Sequence, residues 1–272
     1  MAVLDRWVDT EIRDAFARME VPLNRYGYDA WGASRDTAMQ LMVVARWLYR
    51  KYFRVTTEGL DNVPSGRVLL IANHGGQVPM DGMLIAAAMA LDAKQPRFVR
   101  AMIEKFFAAQ PILGVFMTRL GQVIGLPDHA EKLLNDNHAV LVFPEGERGG
   151  GRTIRDRYRL VGFGQGFLRL ALKTNTPIVP VGVVGCEESC LSFSRMTPLA
   201  KLMGAPYLPL TPTILPVPLP TKVSLHFGEP LRFDGTGNEE NATIAEMVRT
   251  VEGEVQNLMD KGLAARRSIF FG

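Results

Sequence analysis

The stretch that decides the fold is Val68-Leu69-Leu70-Ile71-Ala72-Asn73-His74-Gly75-Gly76-Gln77-Val78-Pro79-Met80-Asp81-Gly82. Arg67 to Ala72 is a short, apolar, partly β-branched run, which predicts a buried strand. Asn73 and His74 close it, and a glycine-rich turn follows. Pro79 suits the first position of a helix, because the N–H it lacks would go unpaired there anyway. Met80 to Asp92 then reads as a helix. A buried strand that turns into a helix is the unit of an α/β sheet, and such folds place ligands at the carboxyl ends of their strands. Asp81 falls in the first helical turn, where a carboxylate is favoured by the positive helix end. The turn lets the helix fold back, so that Asp81 can approach His74. An aspartate partner fixes the tautomer of a histidine and stabilises its protonated form, which makes a general base.

The same alternation continues outward. Residues from Val55 read as a strand and a turn. Phe98 to Met102, Gln122 to Ile124, Ala139 to Phe143, Pro177 to Val184 and Lys222 to Gly228 read as further strands. Helices are expected over Pro111–Leu120, His129–Asn135, Gly162–Thr174 and Glu239–Lys261. The strands are mostly apolar throughout, so the sheet should be covered on both faces. The expected class is α/β, a mixed and largely parallel sheet between helical layers, with a helical N-terminal segment. Residues 1–54 form that segment and residues 55–272 the α/β domain.

The 272 residues are 47% hydrophobic and 22% charged, which excludes disordered, collagen-like and coiled-coil chains. Two cysteines, Cys186 and Cys190, exclude a disulfide scaffold, and four histidines leave little for a histidine-based metal site. A net charge of +3 gives no sign of nucleic-acid binding. Residues 148–173 hold seven bases against the single acid Asp156. That block suits phosphates of a ligand or lipid headgroups, or is a solvated basic face.

Three further blocks follow the Asn-His…Asp stretch: Phe116-Met117-Thr118-Arg119-Leu120-Gly121, then Val142-Phe143-Pro144-Glu145-Gly146-Glu147-Arg148, then Pro177-Ile178-Val179-Pro180-Val181-Gly182. Phe227-Gly228-Glu229-Pro230 is a weaker similarity. In this order the blocks resemble the glycerolipid (lysophospholipid) acyltransferase family, the 1-acylglycerol-3-phosphate acyltransferase-like proteins. The resemblance spans roughly residues 53–235. It implies a glycerol-phosphate acyltransferase-like fold with His74 and Asp81 as the catalytic pair. It also implies that Arg119 and Arg148 hold an acceptor phosphate and that Glu145 and Gly146 position glycerol hydroxyls. One departure stands out. The family spaces its His and Asp by four residues, whereas here six intervene, and Pro79 occupies the expected acid position.

The resemblance implies transfer of a fatty acyl group from acyl-CoA or acyl carrier protein to a hydroxyl of a lysophospholipid or related glycerolipid, with no metal or redox cofactor. Transfer is expected to be direct, since no activated Ser or Cys is evident. The alternative is a non-catalytic lipid-binding or lipid-transfer protein on the same fold, which the stretched His–Asp spacing favours. A soluble thioesterase is a third reading, opposed by the acceptor-type blocks.

No secretory signal is apparent at the N-terminus, and the longest apolar run, Met83 to Leu91, is too short to span a bilayer. Peripheral attachment at the cytoplasmic face of the membrane is therefore expected. Asp36 to Arg54 carries helical apolar periodicity with Trp47, Phe53 and four bases, Arg46, Arg50, Lys51 and Arg54. It reads equally as an in-plane membrane helix or as a core helix with bases at its C-terminal end. The proline-rich stretch 206–220 reads as a rigid apolar loop that either flanks an acyl groove or membrane, or packs on the core.

Overall fold

The strand predicted at Arg67–Ala72 forms as β2 (Val68–Ala72) and lies at the centre of a seven-stranded sheet. The computed structural model describes residues 5–19, 21–75, 80–146, 149, 156–189, 194–195, 209–210 and 218–271. In chain order its elements are helices α1 (Thr10–Arg18) and α2 (Arg35–Trp47), then β1 (Thr56–Glu58), β2, α3 (Met80–Leu91) and β3 (Val99–Ile103). Next come α4 (Lys105–Ala109), α5 (Leu113–Arg119), β4 (Val123–Ile124), α6 (Pro127–Asn135), β5 (Ala139–Val142), α7 (Gly166–Thr174) and β6 (Ile178–Val184). The short α8 (Cys186–Ser189), β7 (Ser194–Arg195), β8 (Pro209–Leu210), β9 (Ser224–Phe227) and the long α9 (Asn241–Ala265) complete it.

The sheet order is β1-β9-β6-β2-β5-β3-β4. β6, β2, β5, β3 and β4 run parallel, whereas β9 is antiparallel to β6 and parallel to β1. The expected mixed, largely parallel α/β architecture is thus present. The side-chain period of two decides the layers. Val68, Leu70 and Ala72 of β2 face α3 (Leu84, Ile85) together with Tyr49 and Phe53. Leu69 and Ile71 face the opposite layer, built by Leu133 and Leu134 of α6, Leu168 of α7 and Val251 and Val255 of α9. Burying each such side chain contributes roughly 1.5–3 kcal/mol, so a one-residue slip of β2 would be costly. Gly182 lets α9 lie directly on β6, because a Cβ there would stand 2.7 Å from Leu258 Cβ.

Several boundaries differ from expectation. The first 54 residues are helical only in part. Asp9 caps α1 by accepting the Ile12 N–H, Ser34 caps α2 by accepting the Thr37 N–H, and a turn-rich segment separates the two helices. Leu48–Tyr52 continues α2 as a π-helical turn. Tyr49 and Phe53 belong to the same core as β2 and α3. Arg46 pairs with Asp9 and Glu11, and Arg50 with Glu11 and Asp92. α7 starts at Gly166, not at residue 162, because Gly162 takes a left-handed conformation (φ 86°). The proline-rich stretch lies outside the described residues except for residues 209–210 and 218–220. Among the described residues Pro209–Leu210 pairs with Ser194–Arg195 alone, a two-stranded ladder where a strand proline is tolerated.

Candidate active site

Where β2 ends, Asn73 extends the ladder with its side chain. Its Nδ2 donates to the Val183 carbonyl at 3.0 Å and its Oδ1 accepts the Val183 N–H at 2.7 Å. This two-way clasp on β6 fixes the path by which the chain leaves the sheet and aims the next residue, His74.

His74 Nδ1 lies 2.6 Å from Asp81 Oδ2. The longer spacing does bring the two side chains together, although residues 76–79 lie outside the described residues. Asp81 is buried at the start of α3, and its charge is compensated locally. Oδ2 also accepts the Gly75 N–H at 2.8 Å, and Oδ1 accepts the Gly82 N–H at 2.7 Å. A carboxylate at Nδ1 selects the tautomer that carries its proton there, which leaves the lone pair on Nε2. The His74 side chain is 18% exposed. Its ring leans on Phe143 at the end of β5, with centroids 4.8 Å apart and planes at 30°. The arrangement is an oriented base at the carboxyl edge of a parallel sheet.

Glu145 is held among backbone donors beside His74. It is buried, Oε1 accepts the backbone N–H of His74 at 3.0 Å, and Oε2 accepts the Val161 N–H at 3.0 Å. It therefore ties the β2 exit to the 156–165 segment. Gly146 closes the Phe143–Gly146 turn in a left-handed conformation (φ 57°), its N–H donating to the Phe143 carbonyl at 3.0 Å. Gly149 packs into the same corner. A Cβ there would stand 2.7 Å from Glu145 Cβ and 3.1 Å from His74 Cβ, so only glycine fits. The sequence signal for this was the Gly149-Gly150-Gly151 run. Arg148 lies outside the described residues.

Arg119 ends α5, and its carbonyl accepts the Ser34 N–H at 2.9 Å. Two residues later, the Gly121 carbonyl lies 3.4 Å from Nη1 of the buried Arg100.

A buried polar network beside the site carries no motif. Arg266 donates to both Glu188 oxygens, each at 2.8 Å. The Tyr158 hydroxyl donates to Glu188 and accepts the Gly185 N–H at 2.8 Å, while the Tyr158 N–H goes to Glu187 at 2.6 Å. Burial and the Glu188 charge raise the Tyr158 hydroxyl pKa, so it stays a donor. The adjacent Glu187-Glu188 pair after a buried strand was the available signal. Among the described residues no group of three or more His, Cys, Asp and Glu side chains could hold a metal ion, and no helix is long and apolar enough to cross a membrane.

Comparison with known proteins bears on the same region. A family profile described as Acyltransferase matches residues 54–184, from just before β1 to the end of β6. An uncharacterised protein of Mycobacterium leprae is 35% identical over 239 residues, covering 84% of this chain. The chain spans 65% of the length of that relative. A Mus musculus protein named "DGAT1/2-independent enzyme synthesizing storage lipids" is 22% identical over 247 residues, covering 90% of this chain and 71% of its own. The crystal structure of the 1-acyl-sn-glycerophosphate acyltransferase PlsC from Thermotoga maritima shares the fold, with a TM-score of 0.57 and 21% identity over 85% of this chain and 83% of that one. The profile falls on the strands that carry the His74 cluster, so residues 54–184 form a stretch similar to acyltransferase domains.

Proposed function

We propose that this protein transfers a fatty acyl group from the thioester of acyl-CoA or acyl carrier protein to a hydroxyl of a lysophospholipid or related glycerolipid. The observation that carries the reading is the 2.6 Å contact between His74 Nδ1 and Asp81 Oδ2 at the carboxyl edge of the sheet. The match of residues 54–184 to the acyltransferase profile and the lipid-linked names of similar proteins support the substrate class. His74 Nε2 takes the proton of the acceptor hydroxyl as its oxygen attacks the thioester carbonyl carbon. Asp81 stabilises the imidazolium that forms. The tetrahedral intermediate then expels the thiolate, which takes the proton back from His74. A C–O bond replaces a C–S bond, and the base is restored. The anionic Asp81 is already satisfied by two backbone N–H groups, so it can hold the ring without taking its proton.

The stretched His–Asp spacing is the feature that favours a non-catalytic lipid carrier. That spacing still delivers the carboxylate to the ring, so it no longer counts for the carrier. The test is incubation of the purified protein with labelled acyl-CoA and a panel of lysophospholipids, monoacylglycerol and diacylglycerol, followed by identification of the acylated lipid. Acceptor-dependent thiol release is expected, and His74→Ala should lower it by about 100-fold or more, the usual worth of a general base. Thiol release without an acceptor would identify a thioesterase. Activity within a few-fold of wild type in His74→Ala would overturn the mechanism.

A further inference from the structure

Among the described residues, exposed apolar side chains gather in two patches that bear on the site. The first is the α4–α5 hairpin, where Ile112 is 86% and Val115 53% exposed, with Leu113 and Phe116 beside them. From Lys105 to Leu126 the sequence holds no acid, and its only charges are Lys105 and Arg119. The second patch gathers Trp47, Leu219, Ile269, Phe270 and Phe271, all exposed. Arg54 ties it together by donating to the Pro220 carbonyl at 2.8 Å and the Phe270 carbonyl at 2.6 Å. The Lys222 N–H donates to the Ile269 carbonyl at 2.7 Å, and the Tyr52 hydroxyl, whose ring lies 5.5 Å from that of Trp47, donates to the Pro218 carbonyl. Lys51 and Arg267 are exposed in the same segments.

Strand register places both patches at one edge of the sheet. α4 begins two residues after the carboxyl end of β3, which lies level with the ends of β5 and β2. On the other flank, Ser224 pairs with Val184 at the carboxyl end of β6 and with Thr56 at the start of β1. Residues 47–55 and 218–223 therefore enter the sheet at the edge where His74 sits. The two patches straddle that site.

We propose that this edge is a membrane-docking face, with the α4–α5 hairpin and the Trp47–Phe270 patch as two footholds on an anionic phospholipid surface. Exposed apolar side chains gathered into patches mark an interaction surface. Bases on both footholds, without acids along the hairpin, match anionic headgroups. A planar partner touches both footholds at once and faces the strand ends between them, where His74 sits. The α2 helix contributes only its exposed end at Trp47, since Phe53 is in the core and Arg46 and Arg50 are held in ion pairs. The need for a lipid route rests on the acyl-transfer reading, but binding is measured without turnover.

The experiment is co-sedimentation of the full chain with vesicles of phosphatidylcholine, alone or mixed with phosphatidylglycerol. Wild type should bind both, more strongly with the anionic lipid, and salt should remove only that increment. The double variants Ile112→Ser/Val115→Ser and Phe270→Ser/Phe271→Ser should each weaken partition by about tenfold or more. As surface changes, they should leave the melting temperature in place. An Ile112→Trp variant gives an independent readout, and brominated lipid should quench its added fluorescence. Patch-dependent binding without any acyl transfer would leave the docking face standing and sink the enzymatic reading. Wild-type levels of binding in both double variants, or added fluorescence in Ile112→Trp that brominated lipid fails to quench, would overturn the proposal. So would a patch-dependent dimer in light scattering, which would assign the patches to a second copy.

Discussion

Replacing Glu145 by glutamine separates two roles that a sequence motif cannot. The carboxylate is buried, and its oxygens accept the N–H groups of His74 and Val161, each at 3.0 Å. Glutamine keeps one acceptor oxygen and turns an NH2 group toward the other backbone donor. One charge-assisted hydrogen bond is lost, worth about 1.5–3 kcal/mol, and a buried N–H is left unpaired at about 1–3 kcal/mol, so a loss of about 3–5 kcal/mol is expected. For 272 residues the unfolding entropy near the midpoint is about 0.6 kcal/mol/K, which converts the loss to a melting temperature lower by about 5–8 °C. Calorimetry measures this directly, and acyl transfer measured in parallel should show kcat falling more than acceptor KM rises, because the His74 backbone loses its tether. The opposite pattern would refute the reasoning. If Glu145 were instead held ready for substrate, removing a buried charge would leave the melting temperature unchanged or higher, while acceptor KM would rise.

Asp81→Asn should lower kcat by about 10²–10⁴, since an amide NH2 facing Nδ1 favours the tautomer with its proton on Nε2; single-turnover acyl transfer checks it, and an unchanged rate would mean that another group orients the ring. Gly149→Ala should cost about 1–3 kcal/mol in thermal melts and depress activity, because its Cβ would press on Glu145 and His74 at 2.7 and 3.1 Å. Burial, and then the Arg100 charge, lower the pKa of His138 from 6.5 to about 4. The folded state then binds fewer protons than the unfolded one, so stability is full above about pH 6.5 and declines as the pH falls toward about 4. For a half-buried ring the loss is of order 1–2 kcal/mol after solvent screening, and denaturant melts of His138→Gln should show a flatter pH dependence.

The parallel strands were legible because both of their faces are buried. Val68–Ala72 and Ile178–Val184 read as apolar runs for that reason, and their order in the chain followed from the helices between them. The antiparallel entry of β9 was not legible, because Ser224–Phe227 alternates in the same way whichever direction it runs. His74 and Asp81 were visible as a strand end and a helix start, and local turn chemistry was enough to predict that they could meet. Glu145 was visible as a carboxylate beside a Gly turn, but the two amides that it accepts come from residues 71 and 16 positions away. Arg119 sits in a string that resembles a family block, and that string forms α5 ahead of β4, within the helix expected over Pro111–Leu120. Its main-chain contact with Ser34 was not legible, because the partner lies 85 positions away. The 36–54 helix was evenly balanced for a physical reason. A basic C-terminal turn serves the helix dipole, ion pairs with Asp9 and Glu11, and a membrane equally well, and only the positions of the acids decide among them.

The placement of His74 depends on residues far from it in the chain. Arg266, one residue past α9, clamps Glu188 with two hydrogen bonds, and Glu188 takes the Tyr158 hydroxyl. Tyr158 in turn accepts the Gly185 N–H at the end of β6 and is held by its own N–H on Glu187. Three residues later Val161 gives its N–H to Glu145, which accepts that of His74. Each link satisfies a buried polar group that would otherwise cost free energy, so the chain is held by the penalty for breaking it rather than by the net strength of any one bond. Removing one member of a buried charged pair costs about 3–5 kcal/mol, because the survivor keeps its desolvation penalty without its partner. The 156–165 segment is therefore anchored at Tyr158 and again at Val161, and it acts as a brace between α9 and the site. A base that must meet a hydroxyl within hydrogen-bond reach loses rate steeply when displaced, since orientation supplies much of the acceleration. His74 is thus fixed twice, through its backbone N–H on Glu145 and through its ring Nδ1 on Asp81.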